Sequence, residues 1–502
     1  MKPFTTFAVI AVSLLAITSC KPKLDVPTQN PTVQDDASTP NSQLNANAST
    51  ASESQAQVDE PQQEPSVAQN PSDEMNAQAK EALPSESMEI KEYVDIADWC
   101  RPGMTEPITA QEWAKANNAF GLKFLRETTG NTVFSPYSIE RALGMTLDGA
   151  CGTTASEMLA ALEMPNAKRL SLAGRDVDDA MKSVNKNTML EIDNALWPDK
   201  SLTLPKDFLA RISTGYRNKT VVLDYRANPE KARVTINDDI AKTTHDKITD
   251  LIPPGSISNN TRLVLTNAVY FKSKWKHPFD KNDTQTEKFY NSTKQIKTKI
   301  MHQTGEESRV CLAKDYAIYD LPFKSSAEKG KKGAYVMRIV LPTINKSHPM
   351  NERMTLLESV EKQLSGDIVS NCHYEAFDHV YVAMPKFKLT PDAIFIAKIL
   401  QSMGMRKAYS EDAEFYAMPN KTPQPSDPSS YLKIDDVLHK AFIEIDEKGA
   451  EAAAATAVSM GPKAAAIKEY KDYYFTADHP FIYMIIEQST GAAIFMGRVT
   501  DL

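Results

Sequence analysis

Eight histidines and five cysteines are the side chains of this 502-residue chain best suited to metal, redox or nucleophilic chemistry. Their spacing supports none of the three. The sequence has no H-E-x-x-H, no C-x-x-C, no phosphate loop, no G-x-S-x-G elbow and no G-x-G-x-x-G turn. The histidines are scattered, with no pair at ligand spacing on one helix. Ser, His and Asp are plentiful, yet nothing in their order nominates a triad. No catalytic residue, no metal and no cofactor is assigned.

The informative segment carries mechanics rather than acid–base chemistry. It follows a run that reads as a strand, Ala441 to Ile445, and continues Glu447, Lys448, Gly449, Ala450, Glu451, Ala452, Ala453, Ala454, Ala455, Thr456, Ala457, Val458. An Ala-rich stretch with Glu near its start has high helix propensity, so a surface helix is one plain reading, and a low-complexity loop is another. A second pattern runs at period two. Ala450, Ala452, Ala454, Thr456, Val458 and Met460 share one side and grow larger along the chain, while Glu451, Ala453, Ala455, Ala457 and Ser459 stay small or polar. One face of such a strand suits a core. The segment therefore fits two states, an exposed loop and a strand inside a sheet.

The chain around it divides by composition. From Lys21 to Glu92 there is no Phe, Trp or Tyr, and residues 21–95 hold fourteen acidic and four basic side chains, a net charge of −10. The whole chain is −8, so the remainder is near neutral, without the clustered basic surface that nucleic acid requires. Residues 21–104 read as a disordered acidic and polar tether, too poor in apolar side chains to offset its ordering entropy. At about 5–6 Å times the square root of its length, it would hold the following domain on the order of 50 Å from its anchor.

Residues 1–20 read as an address. Lys2 precedes an apolar stretch, Phe4 to Ile17, and small residues lead to Cys20. Ile17-Thr18-Ser19-Cys20 resembles the bacterial lipobox, in which the Cys becomes the acylated first residue. The resemblance implies export across the inner membrane and a lipid anchor in the cell envelope. Lys21 after the Cys favours the outer membrane, and a soluble secreted form is the alternative. Past residue 20 no apolar run approaches a membrane span. Cys100, Cys151, Cys311 and Cys372 then remain for up to two disulfides in any of three pairings.

From residue 105 to 502 the pattern is that of one large α+β domain. Thr109 with Glu112 forms a capping-box signature ahead of Trp113, Ala116, Phe120 and Phe124 at helical spacing. Strands are expected over Arg262–Phe271, Ala334–Leu341, His379–Met384, Phe481–Glu487 and Ala492–Val499. Helices are expected over Ala155–Leu162, Ile236–Asp250 and Ala393–Met403. Helices early and strands late suggest a large, mainly antiparallel sheet system.

Several long runs resemble the serpins in the right order. They are Asn131-Thr132-Val133-Phe134-Ser135-Pro136-Tyr137-Ser138-Ile139, Gly149-Ala150-Cys151-Gly152-Thr153-Thr154, and Leu265-Thr266-Asn267-Ala268-Val269-Tyr270-Phe271-Lys272-Ser273-Lys274-Trp275. His439 through Gly449, Phe475-Thr476-Ala477-Asp478-His479-Pro480-Phe481 and Phe495-Met496-Gly497-Arg498-Val499 complete the set. The resemblance implies helices packed around three β-sheets with an exposed reactive-centre loop. It implies an inhibitor rather than an enzyme, whose partner is a serine protease held in a covalent acyl complex, with the chain itself monomeric. Glu447, Gly449 and Ala450 to Thr456 match the hinge that lets the cut loop enter the main sheet. Fourteen residues on from the hinge Gly, Lys463 matches the scissile residue with Ala464 after it, which suits a trypsin-like target. The stretch from Lys463 to Pro480 is about six residues longer than the family's spacing, so Ile467, Lys468 and Lys471 are later candidates.

Ser135, Ser138, Asn267 and His439 match the polar cluster beneath the point where the sheet parts, and Trp275 matches the residue packed where insertion starts. Asp239 stands where the family usually has Trp. Two alternatives accompany this reading: a non-inhibitory binding protein on the same fold, and an inhibitor of elastase-like or cysteine proteases.

Overall fold

A computed structural model describes residues 9–19, 93–449 and 470–502, apart from the short stretches 182–187, 292, 325–332, 345–348, 370, 390, 392–393 and 419–431. Two ladders of strands carry the architecture. The main sheet runs in the order Phe387–Leu389, Leu432–Ile445, Val9–Ser19, Thr261–Ser273, Thr188–Pro198 and Lys219–Thr220, with Ile394–Phe395 also pairing with Leu432–Ile445. The second ladder runs through Asp472–Thr476, His373–Pro385, Gln295–Leu312, Tyr316–Pro322, Tyr335–Pro342, Phe481–Glu487, Ala493–Val499 and Thr132–Phe134. Three sheets are expected from the resemblance, and two ladders are observed. The reason is Gln295–Leu312, which pairs with Gln285–Tyr290 at one end and Tyr316–Pro322 at the other and so joins two sheets into one.

Both faces of the main sheet are covered, which follows from how its strands alternate. On Thr261–Ser273, Leu263, Leu265, Val269 and Phe271 enter the large core, while Val264, Ala268 and Tyr270 enter a second core. That second core also takes Ile236 and Ile240 of the helix Pro229–Thr243, and Leu438 of the strand Leu432–Ile445. A strand buried on both sides reads as a nearly unbroken apolar run, as this one does.

The local signals mostly fall where expected. Thr109 accepts from the Glu112 N–H at 3.2 Å and Glu112 accepts from the Thr109 N–H at 2.8 Å, completing the capping box of Ala110–Arg126. Ser135 caps Pro136–Leu147, with Pro136 at the first helical position, where its missing N–H costs nothing. Two expectations are corrected. The helix placed over Ile236–Asp250 spans Pro229–Thr243, because Asn228 and Pro229 start it and His245 and Asp246 break it with left-handed φ angles of 50° and 58°. Among the described residues of Ala393–Met403 the helix is Ala397–Ser402, since Ile394 and Phe395 are drawn into the main sheet opposite His439 and Leu438.

The packed chain also extends ahead of residue 105. Ile96 and Cys100 are buried, Tyr93 hydrogen-bonds Ser171 at 2.7 Å, and a disulfide joins Cys100 to Cys151. The second disulfide, Cys311–Cys372, ties the neighbouring strands Gln295–Leu312 and His373–Pro385. These are one pairing of the three that the sequence allows. Asp239 is answered by charge: the Lys219 ammonium lies 2.6 Å from both Asp239 and Asp193. Among the described residues no helix is long and apolar enough to cross a membrane.

Candidate functional site

Leu432–Ile445 and Thr261–Ser273 are separated by one strand. Val9–Ser19 lies between them, antiparallel to both. The apolar stretch read from sequence as a leader thus occupies, in the full-length chain, a slot one strand wide. Ser13 stands opposite His439 on one side and Asn267 on the other.

Four predicted residues converge beneath that level. His439 Nε2 accepts from the Ser135 backbone N–H at 3.2 Å, and Ser135 Oγ accepts from the Ser138 N–H at 2.9 Å. The Ser138 hydroxyl donates to the Asn267 side-chain oxygen, and Asn267 Nδ2 donates to Asn194 Oδ1. Asn194 in turn donates to the Tyr216 carbonyl at 2.7 Å. Every member is nearly sealed from solvent, so each broken link would strand a buried polar group at a cost of about 1–3 kcal/mol. Asn194 was not singled out from the sequence; its partner Asn267 is 73 residues away.

Trp275 sits apart from this cluster, beyond the end of the strand that carries Asn267. Its indole stacks on Phe323, with centroids 4.5 Å apart and planes within 9°. Indole Nε1 donates to the Asp446 carbonyl at 2.9 Å, and the Trp275 backbone N–H donates to the Lys448 carbonyl at 3.1 Å. Trp275 therefore grips the turn that follows Leu432–Ile445. The turn closes when the Gly449 N–H bonds the Asp446 carbonyl at 3.2 Å. Gly449 is required there twice over. Its φ is +89°, and a Cβ would lie 2.3 Å from the Trp275 backbone nitrogen.

The predicted hinge residue Glu447 is buried and tied down within the same turn. Its carboxylate takes the Lys386 ammonium at 2.9 Å and the Thr284 hydroxyl at 2.9 Å. Burial works to raise its pKa, but the hydrogen bonds from Lys386, the backbone and Thr284 outweigh burial and leave the carboxyl below its ordinary range. Lys386 and Thr284 lie 61 and 163 residues from Glu447, so no local pattern could have picked them out. Neighbouring Asp446 goes the other way. Burial is the largest cause, the Lys448 N–H opposes it and the Glu447 charge adds to it, and the carboxyl is pushed up to about 6.

The remaining predicted positions, Ala450 to Thr456, Lys463, Ala464, Ile467, Lys468 and Cys20, lie outside the described residues. The described chain resumes at Tyr470, and Lys471, one residue before the strand Asp472–Thr476, is already held by Asp378. The Lys471 N–H donates to the Asp378 carboxylate at 2.8 Å, and its carbonyl accepts from the Asp378 N–H at 2.8 Å. A cut at Lys471 would fall inside paired backbone. The described residues thus form a buried polar cluster, a pinned turn and a position one strand wide between two strands.

The model of the serpin (serine protease inhibitor) family matches residues 115–502. A serpin-like protein of Thermococcus kodakarensis is 33% identical over 410 residues, covering 80% of this chain and 88% of that protein. Antithrombin-III of Ovis aries is 29% identical over 407 residues, covering 78% and 82%. Among solved structures, Arabidopsis AtSerpin1 in its native stressed conformation superposes with a TM-score of 0.63 at 22% identity, covering 79% of this chain and 99% of that one.

The opposed shifts in the turn make its stability depend on pH. Asp446 binds its proton more tightly folded than unfolded, so its contribution is complete below about pH 4 and is lost as pH rises through about 6. Glu447, with a lowered value, loses its contribution only as pH falls below the ordinary carboxylate range. Between pH 5 and 7.5 Asp446 governs. The unfolding midpoint should therefore fall over that range by more in the wild type than in Asp446→Asn, whose amide imitates the protonated acid. Equal slopes in a thermal unfolding series would contradict this assignment.

Proposed function

The chain belongs to the serpin family, whose members generally inhibit proteases and are not enzymes, and on that footing we propose that it is a suicide-substrate inhibitor of trypsin-like serine endopeptidases. The observation that carries this reading is the slot. The strand leading to the loop is kept one strand away from its companion, and the loop begins at a glycine seated on Trp275. In the full-length chain eleven residues, Val9–Ser19, occupy the slot. Ala450 to Met460, eleven residues that are mostly small and alternate at period two, match that length in sequence.

The chemistry belongs to the target. Its serine Oγ attacks the Lys463 carbonyl, the C–N bond to Ala464 breaks, and the new amine leaves with a proton from the protease histidine. An ester now joins protease to loop. Entry of Ala450 onward into the slot competes with hydrolysis of that ester, and when entry wins the protease is carried off and distorted. Gly449 allows the reversal of chain direction, and the small side chains after it keep entry fast. Ser135, Ser138, Asn267 and His439 hold the sheet closed until then, and Trp275 with Glu447 sets where it opens.

The lipobox-like residues fit this mechanism. Cleavage before Cys20 removes Val9–Ser19, so the processed chain presents a slot that its own loop can take. Acylated Cys20 then holds the domain on its tether at the cell envelope, with a monomer as the working unit. Mass spectrometry of the protein from its membrane fraction should show an N-terminal Cys20 carrying acyl chains, and Cys20→Ala should lose that mass. A processed N-terminus at Cys20 without acyl chains would refute the lipid anchor.

Mixing the processed chain with trypsin should give an adduct that survives denaturing electrophoresis, together with a released C-terminal peptide beginning at Ala464. Lys463→Ala should slow trypsin trapping at least about a hundredfold, since it removes the charge that an acidic specificity pocket reads. Ala450→Glu should turn the chain into a substrate that is cut without adduct, because a charge would have to enter the core. Clean cleavage of the wild type with no adduct would refute inhibition of trypsin-like proteases and favour the other-protease or binding-protein alternatives.

A further inference from the structure

Where the loop rejoins the body, the structure carries an exposed aromatic face. Tyr381 and Tyr474 are opposite one another in the parallel pairing of His373–Pro385 with Asp472–Thr476, and their rings stack with centroids 4.9 Å apart and planes within 16°. Tyr474 is 71% exposed. His379 extends the row, 6.1 Å from Tyr381 and 4.9 Å from Tyr470, and is itself fixed by Asp472 at 2.9 Å. Stacked tyrosines on strands lose little conformational freedom on contact and offer large amphipathic area, the pattern of interface hot spots. The inhibitory mechanism uses none of these rings.

We propose that this aromatic face, centred on Tyr381 and Tyr474, is a docking surface for the body of the target protease, separate from the loop that the protease cuts. The inference rests on the inhibitory reading for the identity of the partner. Chain length supplies the link. Lys463 is seven residues before Tyr470, so an attacked Lys463 lies within about 25 Å of the patch even with the chain fully extended. A protease domain of roughly 200 residues has a radius of gyration of about 16 Å, so its body reaches a comparable distance from its active site. The later candidates Ile467 and Lys468 bring it closer. A second copy of this chain has no such tether drawing it to the face.

The test reads attack on the loop apart from trapping. With trypsin and the processed chain, the rate at which the C-terminal fragment beginning at Ala464 appears on denaturing electrophoresis should fall about five- to twentyfold in the double variant Tyr381→Ala/Tyr474→Ala. The fraction of attacks that end as adduct should not change. Tyr474→Glu, at a position too exposed to affect folding, should slow attack similarly, and Tyr474→Phe should preserve it. An unchanged attack rate would overturn the surface. So would a concentration-dependent dimer that disappears in the double variant while attack is unaffected, since the occupant would then be a second copy. If the wild type forms no adduct yet the variants are attacked more slowly, the inhibitory reading fails and the docking surface stands.

Discussion

The structure depends on one separation: the strand Leu432–Ile445 and its companion Thr261–Ser273 stand one strand apart. In the full-length chain Val9–Ser19 satisfies both edges, through ten residue pairs on each side. Buried backbone N–H and C=O groups cannot be left without partners, so the processed chain must close this sheet or fill it. A closed sheet has one ladder where a filled one has two. At roughly 0.5–1.5 kcal/mol per net hydrogen bond, the second ladder is worth on the order of 10 kcal/mol before any side-chain burial is counted. In the proposed mechanism that difference is the reservoir that a cut loop would draw on.

On the proposed mechanism that reservoir must stay locked until the cut, and two separated groups of residues are placed to do so. The buried chain of hydrogen bonds from His439 through Ser135, Ser138, Asn267 and Asn194 links the two edges of the slot to the helices beneath. Trp275, Gly449 and Glu447 pin the turn at the end where entry begins. The helix Pro229–Thr243 adds a constraint on the other face, since its core takes residues from both edges of the slot. Parting the sheet therefore disturbs packing above and polar contacts below.

Much of this was legible in the sequence, for identifiable reasons. Phe481–Glu487 was bounded correctly because its apolar run stops at polar residues, and Thr109 with Glu112 announced a helix through a contact three residues long. Pro229–Thr243 was misplaced because its interior is only weakly amphipathic, although Asn228-Pro229 marked its start. Ile394 and Phe395 were read as helix because the pull of a neighbouring strand is a tertiary effect that no local pattern carries. That Ser135, Ser138, Asn267 and His439 would meet came from resemblance alone, since Ser135 and His439 are 304 residues apart. Lys386 and Thr284 were missed because an ordinary lysine and threonine acquire their role only once folding brings Glu447 to them. The same holds for the choice among the disulfide pairings.

The central claim is that the slot is built to accept the chain's own loop, and the direct measurement is of stability before and after a single loop cut. The processed chain, beginning at Cys20, would be nicked within residues 450–469 by a protease that leaves no adduct, and its thermal unfolding compared with that of the intact chain. Loop entry predicts that the unfolding temperature rises by on the order of 10 °C or more, because a second ladder forms. An unchanged or lower unfolding temperature after the cut would contradict the account.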